Sequence, residues 1–258
     1  MNLLKLFIEK WDDILRYKIT FSYDGSKFNG YQKQKGIDNT IQGIMENALK
    51  HINDNKDTRI YSSGRTDKGV SAYKQVAHFD IDVNITPYKL KSALNTLTPD
   101  TIYVIDAEKV DNDFHARYMA KEKTYIYKIN TGIYNPIEKD YVCQLNKELD
   151  IDLLKKEIKD FIGTYDYSAF ISNEDKKETN VRTIKRASVT KNGNIVTFSF
   201  TGNGFLKYMV RIMSGYLISV SLGKEEKGKI KYHLSHPEKK VTTKTARAEG
   251  LYLKEVKY

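Results

Sequence analysis

Cysteine is nearly absent from this chain of 258 residues, with Cys143 its sole representative. A single thiol cannot close a disulfide within the chain, nor build a thiolate zinc cluster. Doing without disulfides suits a reducing cytoplasm. Histidine offers no substitute, because His78, His115, His233 and His236 stand at no metal-ligand spacing with any cysteine. His78 and His115 read instead as structural or RNA-facing. No apolar run approaches the ~20 residues that span a bilayer. Glu9, Asp12 and Asp13 argue against a signal or transit peptide near the start. No low-complexity tract and no sequence repeat is found. What remains is a chain long enough for one large domain or two small ones, with ample length for a core.

Two residue classes are plentiful. Lys and Arg total 43 against 33 Asp and Glu, a formal charge of +10. An excess of this size suits a polyanionic partner. It equally describes a lysine-rich surface, since much of the lysine lies in runs such as Lys224 to Lys231 and Glu238 to Lys244. Tyrosine reaches 19, against 10 Phe and 1 Trp. A tyrosine ring offers a stacking face and a hydroxyl, both useful on RNA bases, although most such rings serve as half-buried packing.

Hydrophobic periodicity divides the chain into alternating elements. Met1 to Arg16 places Leu4, Ile8, Trp11 and Leu15 on one helical stripe, an amphipathic extension docked on the body. Strands are expected at Tyr17 to Tyr23, Arg59 to Ser62, Gln75 to Val83 and Ile102 to Val110, with helices from Ile41 under an Asn39 or Thr40 cap and over Pro87 to Leu97. In the third of these strands Ala77, Phe79, Ile81 and Val83 form an apolar face, and Val76, His78, Asp80 and Asp82 a mixed one. The second half predicts strands at Thr124 to Asn130, Thr183 to Thr190, Ile195 to Phe200 and Leu251 to Val256. Its helices are Ile151 to Gly163 and Gly204 to Gly223, with Ser172 to Asn180 a charged loop. Strands with intervening helices suit an α+β fold whose sheets are covered on one face.

The most informative stretch is Gly64-Arg65-Thr66-Asp67-Lys68-Gly69-Val70-Ser71-Ala72. Two glycines, each able to take backbone angles other residues resist, bracket a carboxylate between two strands. A loop held in this way can present a working Asp67. The same pattern also makes an ordinary turn in which an aspartate bonds its own backbone. Arg65 has two readings as well, a phosphate contact or a loop-closing salt bridge. Arg211 sits among Met209, Val210, Ile212 and Met213, and a charge in so apolar a run either needs a partner or reaches past the core to solvent. Tyr125, in a Tyr-x-Tyr strand, reads on its own as sheet packing.

The whole nine-residue string resembles the active-site motif of the TruA family of tRNA pseudouridine synthases. Further stretches match that family in the same order: Tyr23 to Phe28, Gly30 to Gln34, Gln75 to Phe79, Asp113 to Arg117, Tyr125 to Tyr127, Asn203 to Arg211 and Ala248 to Leu253. The resemblance runs from about Tyr17 to Tyr258. Three positions depart from the usual bacterial pattern: Ser71 stands in place of His, Lys68 in place of Ala, and Tyr31 in place of Trp. The resemblance implies two RRM-like (ferredoxin-like) subdomains with largely antiparallel sheets, residues 17–112 and 113–258, joined side by side around a basic cleft, and a homodimer acting on tRNA. It implies that uridine becomes pseudouridine by cleavage of the N1–C1′ bond, turning of the base and rejoining through C5, with no cofactor and no metal. It places Asp67 at the ribose, Tyr125 against the target base, and Arg211 as partner of Asp67 that keeps it ionised. Arg65 then pairs with phosphate or fills the gap left by the flipped nucleotide. Lys27, Lys33 and Lys207 become phosphate contacts, and the target becomes uridines at tRNA positions 38 to 40 in the anticodon stem-loop.

Two other classes fit parts of the sequence. A non-catalytic RNA-binding module of RRM type shares the basic charge and strand-borne aromatics, but no RNP-like aromatic string occurs, and such a module needs neither the Asp67 loop nor Arg211. A glycosidase or nucleosidase needs a second catalytic carboxylate. Asp24 and Asp113 are the only candidates, and both read as turns.

Overall fold

A computed structural model describes residues 14–172 and 179–258. Most of the expected N-terminal helix, and the centre of the charged loop between Ser172 and Asn180, lie outside the described residues. The last residues of that expected helix do not belong to a helix. Leu15 and Arg16 already open strand β1 (Leu15–Tyr23).

Four strands and two helices build the first half. β1 alternates, with Tyr17, Ile19, Phe21 and Tyr23 buried. It lies between β3 (Ser71–Ile81) and β4 (Ile102–Lys109), antiparallel to both. Helices α1 (Ile41–Ile52) and α2 (Pro87–Leu97) supply Ile41, Met45, Leu49, Leu90 and Leu94 to the same core. Thr40 caps α1 by accepting the Gly43 N–H at 3.3 Å, and Thr86 caps α2, where Pro87 opens the first turn. The expected mixed face of β3 is closed at Val76 and His78 and opens only at Asp80 and Asp82. Val76 and His78 are buried along with Ala77 and Phe79, because the short strand β2 (Tyr61–Ser62) and the segment around Phe114 pack over it.

In the second half, β5 (Glu122–Asn130), β9 (Ile195–Gly202), β8 (Val181–Asn192) and β7 (Gly163–Asp166) run antiparallel in that order. The two-residue β6 (Cys143–Gln144) attaches to the far end of β5. Helices α3 (Ile151–Glu157), α4 (Met209–Ser221) and α5 (Ile230–Ser235) complete this half. α3 stops before the expected Gly163, passing into a 3-10 turn at Ile158–Phe161. α4 begins five residues later than the expected Gly204, because Tyr208 takes a left-handed conformation at φ 60° and turns the chain. β6, β7 and α5 were not anticipated. Each is too short to display a period, and α5 buries only Ile230 and Leu234.

The last strand, β10 (Leu251–Lys257), joins the halves into one mixed sheet of ten strands, mostly antiparallel. β10 is antiparallel to β5 and parallel to β3, and the parallel contact is confined to Tyr252 with Ser71 and Leu253 with Ala72. Further along β3 that flank is taken by β2, opposite His78 and Ala77. The two halves therefore part immediately beside residues 64–72. Among the described residues no helix is long and apolar enough to cross a membrane.

Candidate active site

Residues 64–72 are braced from three sides. Gln75, fully buried, donates from Nε2 to the Gly64 carbonyl at 2.9 Å and accepts from the Ser63 hydroxyl at 2.7 Å. The hydroxyls of Thr66 and Tyr23 bond each other at 2.8 Å, and the Thr66 carbonyl accepts from the Tyr31 N–H at 3.1 Å. At the far end Ser71 Oγ accepts the Gly25 N–H at 2.9 Å. Ser71, one of the departures from the bacterial pattern, thus clamps the Gly25 turn to the loop. Gly25 sits so close that a Cβ there would lie 2.0 Å from the Val70 carbonyl oxygen. Gly69 has φ +81°, where a side chain is strained. Gly64 does not need a left-handed backbone, contrary to expectation. A Cβ there would meet Lys123 Nζ at 3.7 Å and Tyr125 Oη at 4.0 Å, so its smallness leaves room in front of those two groups.

Asp67 closes a turn through its backbone, accepting from the Val70 N–H at 3.1 Å. Its carboxylate does not serve the turn. Asp67 Oδ2 lies 3.2 Å from Arg211 Nη1 on the first turn of α4, with the two side chains 26% and 15% exposed. Arg211 is held from behind, its Nε donating to the Ala246 carbonyl at 2.8 Å and its guanidinium lying 5.0 Å from the centre of the Tyr208 ring. The unusual backbone of Tyr208 is what aims that ring at the arginine.

Burial pushes the Asp67 carboxyl above the ordinary carboxylate range, and the charges of Arg211 and Lys207 only partly pull it back. The expectation that Arg211 favours the ionised form holds in sign, but desolvation prevails over it. Tyr125 is buried, meets Phe205 edge-on at 5.1 Å, and is flanked by Leu253 and Phe200 on neighbouring strands. Burial, followed by the neighbouring Tyr23 and Asp67, raises its phenol further, so Tyr125 keeps its proton at neutral pH.

Asp67, Arg211, Lys207 and Tyr125 are therefore brought together, and Arg65 is exposed on the same loop. Arg65 makes no ion pair among the described residues, so the loop-closing bridge does not form there. Lys27 is exposed on the 3-10 turn Gly25–Lys27 that packs on the loop. Lys33 turns away toward α1, its Nζ 3.5 Å from Glu46. Asp24 accepts from the Ser26 N–H and hydroxyl as a turn cap. Sequence reasoning missed Lys123, whose ammonium donates to the Ser63 carbonyl. The signal was present: Lys123 and Tyr125 are two apart on one strand and share a face. It also missed Gln75 and Tyr208.

A shielded carboxylate set against an arginine, between two halves of a sheet and among lysines and a buried tyrosine, suits an enzyme acting on a polyanion. Comparison with known proteins gives that class a family. A family profile described as tRNA pseudouridine synthase matches residues 19–119 and 158–258. The chain is 38% identical over 248 residues to tRNA pseudouridine synthase A of Limosilactobacillus reuteri, covering 94% of this chain and 96% of that one. It is 39% identical over 248 residues to the protein of that name from Streptococcus mutans, covering 95% and 99%. It is 38% identical over 243 residues to tRNA pseudouridine synthase A 2 of Bacillus thuringiensis, covering 94% and 99%. The chain belongs to the TruA family of tRNA pseudouridine synthases and is an isomerase.

Proposed function

We propose that this enzyme converts uridine to pseudouridine on the 3′ side of the tRNA anticodon stem-loop, with Asp67 as the group acting on the ribose. The observation that carries the reading is the Asp67–Arg211 pair at 3.2 Å in the braced loop, facing Tyr125 and Lys123 across the space Gly64 leaves. With the target nucleotide out of its stack, the Asp67 carboxylate meets the positive charge that develops at C1′ as the N1–C1′ bond breaks. The uracil turns within the site and rejoins through C5, which gives up its proton while N1 gains one. One proton leaves C5 and one reaches N1, so no atom or electron is gained or lost overall and the chemistry requires no cofactor. The protonated phenol of Tyr125 lies against the base as a hydrogen-bond donor. Arg65 occupies the gap left in the stem or grips a phosphate, and Lys27 and Lys207 contact the backbone, whereas Lys33, turned toward Glu46, does not.

In the same reading, residues 17–112 and 113–258 are two RRM-like subdomains facing a basic cleft. The enzyme acts in the cytoplasm as a homodimer whose partner subunit extends the grip on the L-shaped tRNA. Recognition through phosphates leaves base identity near the target of little weight, which permits several neighbouring uridines. Mapping pseudouridines in tRNA from cells lacking this protein tests the assignment. Loss confined to the anticodon arm is expected. Loss confined to the T-arm or to ribosomal RNA refutes this target.

A further inference from the structure

Outside the site just described, a group of exposed rings lies at the start of the same loop. Tyr61 belongs to β2, which runs directly into Ser63, Gly64 and Arg65. Its ring stacks on His78 at 5.1 Å with 19° between the planes. His115 stands 4.6 Å from His78 and 6.1 Å from Tyr61, and Tyr118 lies 4.3 Å from His115. His78 is buried, whereas Tyr61 is 39% and Tyr118 78% exposed. The outer rings of this series are not core packing.

The segment that carries Tyr118 is fixed before any ligand arrives. His78 Nδ1 accepts the Ala116 N–H at 3.1 Å, and His115 Nδ1 accepts those of Arg117 and Tyr118 at 3.1 and 3.3 Å. The Tyr258 hydroxyl donates to the Ala116 carbonyl at 2.6 Å. Arg16 holds Asp80 with two hydrogen bonds of 2.7 and 2.8 Å and donates to the Phe114 carbonyl at 3.0 Å. A ring presented on so fixed a turn gives up little freedom on binding.

The surrounding charge points to the occupant. Arg59 lies 5.2 Å from the centre of the Tyr61 ring, Arg117 follows His115, and Arg65 begins the catalytic loop. None of these three guanidinium groups forms an ion pair among the described residues. Of the two nearby carboxylates, Asp80 is taken by Arg16 and Asp113 is exposed. A second copy of this surface would bring arginine against arginine, whereas a nucleic acid strand brings phosphates to the arginines and bases to the rings. Exposed ring faces suit a base that has no stacking neighbour of its own.

We propose that Tyr61 and Tyr118, with His115 between them, are a stacking platform for an unpaired base of the RNA substrate, separate from the place where the target uridine reacts. This rests on the reading of the protein as an RNA-modifying enzyme and adds a binding subsite to it.

The test uses the full-length protein, an unmodified tRNA transcript, and a short single-stranded RNA carrying 2-aminopurine, whose fluorescence is quenched when it stacks. Tyr118→Ala is expected to weaken tRNA binding by about tenfold, the usual scale for losing one base–aromatic contact. It is expected to raise KM with kcat unchanged and to abolish the quenching. Tyr118→Phe keeps the ring face and should restore all three. Tyr61→Ala should act in the same direction, with circular dichroism used to check its fold. Wild-type affinity and quenching in both alanine variants overturn the platform. So does unchanged RNA affinity accompanied by a change in sedimentation, which would make the surface a protein contact. Failure of the catalytic reading shows differently: wild-type protein would form no pseudouridine, yet the oligonucleotide would still be quenched in a Tyr118-dependent way.

Discussion

Arg211 Nη1 and Asp67 Oδ2 meet at 3.2 Å although the two residues stand 144 positions apart in the chain. Their contact links α4 of the second half to the loop of the first. It also sets two opposed influences on one carboxyl: burial favours the proton, and the guanidinium favours the charge. The carboxylate is thus costly to keep.

That cost predicts an unusual pairing of effects for Asp67→Asn. Pseudouridine formation on purified tRNA should be abolished while tRNA binding survives. A carboxyl whose folded pKa lies above its unfolded value contributes stability in its protonated form below the unfolded pKa, and this is lost as pH rises through the folded value. Ionising the buried carboxyl therefore costs the folded state, so the uncharged amide should leave the melting temperature unchanged or raise it. A clear drop in melting temperature, or turnover by Asp67→Ala, would count against the assignment.

For Arg211→Leu the acid limb of the kcat/KM profile should move to higher pH. The variant removes the largest influence lowering the Asp67 carboxyl and leaves burial unopposed except by Lys207. Turnover should fall far more than RNA affinity. Breaking a buried pair typically costs about 3–5 kcal/mol, and the lower end is expected here because both side chains keep some contact with water. Rate profiles across pH, with melting curves alongside, decide it.

Gly25→Ala addresses the brace without touching any group that meets substrate. The added methyl would sit 2.0 Å from the Val70 carbonyl, a clash only backbone movement can relieve. Overpacking of this kind usually costs about 1–3 kcal/mol. Displacing the Ser71–Gly25 clamp should also misplace Asp67, so activity is expected to fall by more than the stability loss explains. Kinetics measured well below the melting temperature separate the two effects.

His78 should make the protein acid-sensitive in a defined window. Burial, then the neighbouring His115 and Arg16, lower its pKa to about 4, with Asp80 acting in the other direction. Its Nδ1 must stay unprotonated to accept the Ala116 N–H. The unfolded chain takes up this proton near the ordinary value of about 6.5 and the folded chain only near 4. The contribution is therefore complete above about 6.5 and is lost progressively as pH falls toward 4. Denaturation midpoints across that range should slope less in His78→Gln.

Most of the fold was legible because long elements repeat their pattern. β1, α1, α2 and β9 have enough residues for a period of two or of 3.6 to stand out. α5, β6 and β7 have too few turns or pairs to register. The start of α4 was misjudged because Tyr208, not a glycine, takes the left-handed turn, and nothing in local propensity marks such a position. At the site, the loop glycines and the arginine in an apolar helix could be read directly. The balance at Asp67 could not, since desolvation depends on how closely the two halves approach. The brace at Gln75 was equally hidden, because a buried glutamine in a strand looks like any polar interruption.

β10 ties the geometry of the site to a single strand. Leu253 stands between Ala72 at the end of the loop and Tyr125 on β5, so one strand seats both sides of the site and sets their spacing. A slip of β10 along either neighbour would therefore shift the loop against Tyr125 without altering any residue that meets the substrate.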